Sequence, residues 1–196
     1  KLGYYSDFAI YSFQAIKHLT TIDGGLLVLK SSSDYDRAKK LRWFGLDKNT
    51  PRLQNDITEI GFKYHMNDVN ATFGLIQLKY LEENVKKYIE NGLFFDKELK
   101  DIDGIKIIKY HDNTKPSYWL YTAIIDRRDD FIEYMSSNGV MCSPLHLRND
   151  RHSIFEDGSH LKGLESFYSN FIHWGCGWWI SQEDRIKIVE LIKKGW

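Results

Sequence analysis

Two short apolar runs lie near the start of the chain, with a polar stretch between them. Residues 9–13 and 26–29 are mainly apolar or aromatic, and each run has the length of a short strand. Residues 14–23 are polar and show neither helical nor strand periodicity. We therefore predict two short buried strands joined by a loop, and loops of this kind often carry functional residues.

Helical spacing marks three later segments. Residues 34–44 have apolar side chains at every third position, which predicts a helix with Asp34 as its N-cap. A longer stripe predicts one amphipathic helix that begins near Asp68. This stripe consists of Val69, Phe73, Ile76, Tyr80, Val85 and Ile89. The closing helix is predicted to start at the capping pair Ser181 and Asp184. Its predicted buried face consists of Ile186, Val189 and Ile192.

Strand-like and helical patterns alternate in the second half of the chain. Residues 105–110, 118–125 and 140–145 are typical of strands, and residues 130–138 are typical of a helix that ends at Gly139. This order predicts an α+β arrangement. A domain boundary is expected near Leu81, which divides the chain into residues 1–80 and 81–196.

Composition excludes several classes of protein. The 27 basic residues balance the 27 acidic ones, which disfavours a nucleic-acid binder. No apolar run approaches the length of a membrane-spanning helix, so we expect a soluble protein without a membrane partner. The two cysteines form no C-x-x-C pair, which favours a reducing compartment, and the cytoplasm is the expected location. Cys142, His146, His152 and Cys176 lack the close spacing of structural zinc ligands, so no metal site is predicted.

The loop at residues 14–23 contains the most informative chemistry. Lys17 follows the first strand, and a lysine amine in such a place can condense with an aldehyde. Ser12 precedes it by five residues and could hold a phosphate attached to the same aldehyde. Pyridoxal phosphate carries both groups. Taken alone, either residue is more simply a surface lysine or a strand-end hydroxyl.

Several motifs extend this pattern in collinear order over nearly the whole chain. They are Ser-Phe-x-x-x-Lys at 12–17, Asp-Gly-Gly at 23–25, Arg-Trp-Phe-Gly at 42–45, Gly-Phe-Lys-Tyr-His-Met-Asn-Asp at 61–68, Ala-x-x-Gly-Leu at 71–75 and Cys-Gly-Trp-Trp at 176–179. Together they resemble the DegT/DnrJ/StrS sugar aminotransferases, which have the aspartate aminotransferase fold. The resemblance implies an α/β fold for the chain, made of the C-terminal part of the large domain that binds pyridoxal phosphate and a small α+β domain.

The resemblance also implies roles for five residues. Lys17 matches the lysine that forms an imine with pyridoxal 5′-phosphate, and Ser12 matches a serine that contacts the cofactor phosphate. Lys63 stands where many members have an asparagine that reaches the phosphate of the neighbouring subunit, and a lysine can supply a point charge there. His146 and Arg148 fall in a region that approaches the substrate, so they are expected to hold the sugar nucleotide or the donor carboxylate.

The implied reaction is amino transfer, with glutamate as the expected donor and a nucleotide-linked keto sugar as the acceptor. It belongs to deoxyamino sugar and polysaccharide biosynthesis, and the active site is shared within a homodimer. The lysine at Lys63 favours 4-keto-6-deoxy sugars. Because the chain starts at Lys1 without methionine, we expect that an upstream half is missing and that this chain alone is a poor catalyst.

Two alternatives remain at this point. A dehydratase of the same family is disfavoured, because its best-known members replace the lysine with histidine, whereas here His18 follows Lys17. The second alternative is a non-catalytic interaction half or a decayed remnant of such an enzyme. The missing half is expected to leave apolar surface exposed at Tyr4, Phe8, Phe44 and the face from Met66 to Phe73.

Overall fold

A computed structural model describes residues 3–155 and 161–196. The chain forms two compact units that divide between Leu81 and Glu82. No helix in the described part of the chain is long and apolar enough to cross a membrane.

The first unit is built around a two-stranded antiparallel sheet. Strand β1 spans Phe8–Ser12 and pairs with β2, Gly25–Leu29, so that Ser12 lies opposite Gly25. Both strands and the intervening loop are confirmed, but the expectation that the strands are buried is wrong. Most of their residues are exposed, because the ladder has two strands only and its side chains have few described neighbours.

Helix α1 spans Ser32–Leu41 and begins earlier than the pattern predicts. Its N-cap is Ser31, whose side chain accepts a hydrogen bond from the backbone N–H of Asp34 at 3.4 Å. Asp34 therefore lies in the first turn, where its negative charge interacts favourably with the helix dipole. The prediction of Asp34 as the cap is wrong by one turn, since three serines precede it and any of them can cap.

The predicted long helix is in fact two helices. Helix α2 spans Asp68–Leu78, and α3 spans Leu81–Leu99. Between them the backbone forms hydrogen bonds of the 3-10 type. The N–H groups of Lys79 and Tyr80 each donate to a carbonyl three residues earlier. The apolar stripe does not reveal this break, because the side chains of α2 are apolar on several sides and exposed.

The second unit contains a four-stranded sheet of order β3-β4-β6-β5, in which every neighbouring pair is antiparallel. The strands are β3 (Ile105–Ile107), β4 (Tyr121–Ile125), β5 (Cys142–Ser143) and β6 (Phe171–Trp174). The helices that accompany α3 are α4 (Arg128–Ser137), α5 (Lys162–Asn170) and α6 (Gln182–Lys194). Short 3-10 turns occur at Arg52–Gln54 in the first unit and Asn149–Arg151 in the second.

The core of the second unit lies between this sheet and its helices. Helix α3 contributes one face, since Tyr88, Asn91, Phe95 and Leu99 recur at helical spacing and are buried. Phe95 packs against Tyr121 and Trp174 of the sheet. The core cluster also includes residues of α4 and α6, which explains why these two helices are amphipathic.

Local sequence patterns predict some features of the C-terminal elements correctly and others wrongly. The capping box of Ser181 and Asp184 is confirmed, with both reciprocal hydrogen bonds present. Ile186 is 39% exposed, so its predicted burial is wrong, and Ile188 and Leu191 lie on the buried face instead. Strand β6 and helix α5 were not predicted from the sequence, and the three predicted strands of this unit are shorter than expected.

The expected apolar surface of the first unit is present. Tyr4 is 74% exposed and Val69 is 73% exposed. Phe8, Phe44 and Phe73 are also exposed.

Candidate active site

Ser12, the last residue of β1, and Lys17 are linked through the hydrogen bonds of the turn that follows this strand. The backbone N–H of Gln14 donates to Ser12 Oγ at 3.3 Å, and the backbone N–H of Lys17 donates to the Gln14 carbonyl at 2.9 Å. Ser12 is exposed and Lys17 is half-buried. The turn therefore places a hydroxyl and a primary amine on the same short segment.

The rest of the loop is closed by its own hydrogen bonds. The Phe13 N–H donates to the Gly24 carbonyl, and the Thr21 N–H donates back to the Phe13 carbonyl, each at 2.9 Å. Ile22 has a φ of +73°, which is unusual and costly for a β-branched residue. The hydroxyl of Thr20 accepts the Ile22 N–H at 2.8 Å and supports this conformation.

Helix α2 holds the far end of the loop. The side-chain amide of Asn70 donates to the backbone carbonyl of Thr21 and, at 3.3 Å, to that of Asp23. Thr21 is buried, and its hydroxyl donates to the Asp23 carbonyl at 2.7 Å. Asp23 thus takes part in loop closure through its backbone, which agrees with a structural role for this position.

A broad cavity of about 1110 Å³ lies in the first unit. The Asp-Gly-Gly segment at 23–25 and Lys63 line it, whereas Ser12 and Lys17 do not. Its other charged lining residues and its histidine are Arg37, Lys39, Arg42, Glu59 and His65. Arg37 forms a bidentate ion pair with Glu59, with N–O distances of 2.9–3.1 Å. Because the two charges cancel, Arg37 adds no net positive charge to the cavity.

Lys63 lies in a cluster with two aromatic rings. Its Nζ is 3.1 Å from Nδ1 of His65 and 4.6 Å from the centroid of the Trp43 ring. Lys48 Nζ also lies over the Trp43 ring, at 4.1 Å from the centroid. Partial burial and then the charges of Lys63, Lys48 and Arg42 lower the pKa of His65.

His146 and Arg148 belong to the second unit. The His146 ring is exposed and lies 6.3 Å from Trp119 and 6.2 Å from His173, measured between ring centroids. Arg148 forms a bidentate pair with Asp150, which holds the pKa of that carboxyl below its usual range. An anionic ligand would have to compete with Asp150 for this guanidinium.

Comparison with known proteins gives this geometry a context. The sequence model of the DegT/DnrJ/EryC1/StrS aminotransferase family matches residues 1–193. The chain belongs to this family. Its fold is that of the sugar aminotransferases, since the solved structure of CalS13 from Micromonospora echinospora covers the whole chain with a TM-score of 0.96 and 34% identity. The structure of AtS13 from Actinomadura melliaura also covers the whole chain, with a TM-score of 0.96 and 36% identity.

A curated relative of this DegT/DnrJ/EryC1/StrS protein is named after a nucleotide-linked amino sugar. It is the UDP-4-amino-4,6-dideoxy-N-acetyl-beta-L-altrosamine transaminase of Campylobacter jejuni, which is 36% identical over 126 residues. The match covers 64% of this chain and 33% of the relative. The chain spans 54% of the CalS13 chain and 53% of the AtS13 chain, about half the length of each.

Pyridoxal 5′-phosphate is the cofactor of this family, and the residues of the loop fit it. Lys17 supplies a primary amine. The oxygen of Ser12 already accepts the Gln14 N–H, which leaves its hydroxyl proton to donate to a phosphate oxygen. A Cβ at Gly24 would lie 2.7 Å from Thr21 Oγ1, and the φ of +139° also favours glycine. The backbone of the Asp-Gly-Gly segment can therefore pack close to Thr21, because Gly24 has no side chain.

Three residues of this neighbourhood escaped the sequence analysis. Asn70 ties the loop to α2, and Trp43 and His65 surround Lys63. Trp43 and His65 lie inside the motifs that carry the family resemblance, so the sequence marks them as candidates. It does not indicate that they contact Lys63. Asn70 has no local signal beyond its position in the first turn of a helix.

Proposed function

We propose that the whole protein is a pyridoxal-phosphate-dependent aminotransferase that transfers an amino group, with glutamate as the donor, to a nucleotide-linked keto sugar. The observation that carries this proposal is the match to the aminotransferase family over residues 1–193, with Lys17 and Ser12 on one ordered turn at the matching motif. Residues 1–80 are proposed to be part of the cofactor-binding domain, and residues 81–196 to be the small domain.

The substrate class draws on the names of relatives. The Campylobacter jejuni relative acts on a UDP-linked amino-dideoxy sugar, and a relative from Shigella dysenteriae, 26% identical, is a dTDP-4-amino-4,6-dideoxy-D-glucose transaminase that the chain covers over 37% of its length. Both names describe products with an amino group on a deoxygenated sugar that is linked to a nucleotide. A nucleotide-linked 4-keto-6-deoxy sugar is therefore the proposed acceptor.

Lys17 is proposed to perform the chemistry of the chain. When bound, pyridoxal phosphate supplies an aldehyde for covalent attachment to an amine and a ring that accepts electrons. Lys17 Nζ would provide that amine, and once released by the donor it would accept and return a proton as general base and acid. Ser12 Oγ would hold the phosphate by donating a hydrogen bond, which keeps the reacting bond aligned.

The other proposed roles depend on assembly. Lys63 would contact the cofactor phosphate of the neighbouring subunit in a homodimer, as a point charge in place of an amide. His146 and Arg148 would hold the sugar nucleotide or the donor carboxylate. For Arg148 this requires that the ligand anion replace Asp150, its partner in this structure.

Reductive labelling of the full-length protein tests this proposal. The protein is incubated with pyridoxal phosphate, reduced with borohydride, digested and examined by mass spectrometry. We expect a pyridoxyl group on the peptide that contains Lys17. Lys17→Arg should abolish the label, whereas the matched variant Lys30→Arg, on the same unit, should retain it.

Activity of the same preparations tests the substrate class. With glutamate and a UDP- or dTDP-linked 4-keto-6-deoxy sugar, the wild-type protein should form the amino sugar, and Lys17→Arg should lose at least a thousandfold in rate. An unlabelled Lys17 in folded full-length protein would remove the transferase proposal. It would favour the non-catalytic interaction half or remnant.

A further inference from the structure

The surroundings of Lys63 contain an arrangement that the proposed reaction does not by itself require. Lys63 forms an isolated antiparallel bridge with Trp43. Beside this bridge, the N–H groups of Tyr64 and His65 donate to the Arg42 carbonyl at 3.0 and 3.1 Å. The backbone thus fixes Lys63 next to Trp43, with His65 two residues further along the same segment.

Close backbone packing makes this arrangement stiff. A Cβ at Gly61 would lie 2.1 Å from the backbone nitrogen of Gly45, so the two segments approach each other where side chains are absent. Gly45 has a φ of +80°, and its N–H bonds to the Lys40 carbonyl at 2.9 Å. The segment that carries Lys63 is therefore anchored to the end of α1.

The ammonium of Lys63 has two partners with different chemistry. The electron-rich face of Trp43 attracts the charge at 4.6 Å. His65 Nδ1 lies 3.1 Å from Nζ, and because an ammonium can only donate, Nδ1 must accept and the imidazole proton must be on Nε2. This hydrogen bond exists only while His65 is neutral.

The charges around His65 favour the neutral ring. Partial burial lowers the pKa of His65, as do the charges of Lys63, Lys48 and Arg42, which face it from three segments, whereas Asp68 at the start of α2 acts in the opposite direction. The ring also packs edge-on against Trp43, with 4.2 Å between ring centroids. At neutral pH His65 is therefore available as an acceptor.

We infer that Trp43 and neutral His65 are positioning residues that hold the Lys63 ammonium ready for a phosphate group. Two of its directions are occupied by the ring face and by Nδ1, and a remaining N–H can donate to an anion. Protonation of His65 removes the acceptor and places a second positive charge beside Lys63. The positioning hydrogen bond to Lys63 is therefore present only while His65 is neutral. This inference rests on the proposed function only in naming the cofactor phosphate as the anion.

Nitrogen-15 NMR of the imidazole groups in the full-length protein tests the geometry without any ligand. We expect the Nε2–H tautomer for His65, assigned with a His65→Asn variant. Lys63→Met should raise the pKa of His65, because it removes both the hydrogen bond to the neutral ring and a nearby positive charge. Lys106→Met, on the second unit, should leave that pKa unchanged. An Nδ1–H tautomer, or no change in Lys63→Met, overturns the inference.

Binding of 4′-deoxypyridoxine 5′-phosphate tests the consequence. This probe has the phosphate but lacks the aldehyde, so its binding does not need Lys17. At pH 7.5, calorimetry should show several-fold weaker binding for His65→Leu, which offers Lys63 no acceptor, than for the wild-type protein, whereas His65→Asn, whose amide oxygen can accept the hydrogen bond, should bind about as tightly as the wild-type protein. Trp43→Phe should bind about as tightly as the wild-type protein at pH 7.5, and Trp43→Leu several-fold more weakly.

The outcomes separate this inference from the proposed function. Equal affinity of the wild-type protein and His65→Leu for the probe overturns the inference even if Lys17 is labelled. The expected loss of affinity in His65→Leu with an unlabelled Lys17 supports the inference and removes the transferase. If Trp43→Leu or His65→Leu does not fold, the tautomer of His65 and its pKa in Lys63→Met still decide.

Discussion

The side-chain amide of Asn70 donates a hydrogen bond to the backbone carbonyl of Thr21, 49 residues earlier in the chain. This bond joins the first turn of α2 to the far end of the loop that carries Lys17. Since Thr21 also bonds to Phe13, at the near end of the same loop, Asn70 helps to set the conformation of the whole segment. A residue distant in sequence thereby supports the candidate active site.

Asn70→Asp should loosen this loop. An aspartate has no N–H to donate, and its charge would face the carbonyls of Thr21 and Asp23, so we expect a loss of about 1–3 kcal/mol in the free energy of unfolding. Hydrogen exchange should accelerate at the Thr21 amide in particular. Asn49→Asp, which changes an exposed residue in the same unit, is the matched control and should leave that exchange rate as it is in the wild-type protein.

Gly74→Ala should destabilise the protein although it lies inside a helix. Alanine normally favours a helix interior over glycine, but a Cβ at Gly74 would lie 2.7 Å from Thr21 Cγ2. Thr21 is buried and cannot move aside without losing its bond to Asp23, so we expect a cost of about 1–3 kcal/mol. In Gly163→Ala in α5, the new Cβ meets no atom of the described residues within 4 Å, so the change should be neutral or stabilise by up to about 1 kcal/mol. Urea unfolding of both variants measures the contrast, and equal effects would contradict the packing argument.

Asn91→Asp should strongly destabilise the second unit. The buried amide of Asn91 donates to the carbonyls of Cys176, Gly177 and Ile180 at 3.0–3.2 Å, and its oxygen accepts from Arg185 at 3.0 Å. An aspartate keeps the arginine contact but leaves three carbonyls without their donor, for an expected loss of about 2–4 kcal/mol.

Asn113→Asp, at an exposed turn of the same unit, should change the unfolding free energy by less than about 0.5 kcal/mol. Thermal unfolding followed by tryptophan fluorescence compares this control with Asn91→Asp. Similar melting temperatures for the two variants would show that the amide does not hold the Cys-Gly-Trp-Trp loop.

His173 should make stability fall in acid. Burial, and then the neighbouring His146, lower the pKa of His173, whose Nδ1 is 2.8 Å from the hydroxyl of Thr122. The unfolded chain, where the pKa is about 6.5, therefore binds this proton more readily than the folded chain. The stabilisation is complete above pH 6.5 or so and is lost as the pH falls below that value toward the lowered pKa.

The variant His173→Asn tests this sign. Its amide does not titrate and can still bond to Thr122, so urea unfolding between pH 7.5 and pH 5 should show a smaller loss of stability than in the wild-type protein. His111→Asn, an exposed substitution in the same unit, should retain the full loss. A steeper pH dependence in His173→Asn would reverse our interpretation.

Local sequence was sufficient for much of the fold. The strands β1 and β2, the loop between them, helix α4 and the capping box at Ser181 were predicted close to their observed places. Each depends on interactions within a few residues, namely turn formation, capping or a repeating apolar face. The family was also predicted from the sequence, because its motifs combine residue identity with spacing, and the match to residues 1–193 confirms it. The roles of Ser12, Lys17, Lys63, His146 and Arg148 stay predictions.

Other features follow from contacts that no short segment contains. The exposure of β1 and β2 depends on which other elements cover a strand, and the burial of β6 depends on its pairing with both β4 and β5. Lys63 is held beside Trp43, 20 residues earlier in the chain, by a β-bridge. Asn70 bonds to Thr21 across an even longer stretch of sequence. A residue's chemistry can be read from its identity and its near neighbours. Its partners, its burial and its pKa are set by atoms that folding brings together from distant parts of the chain.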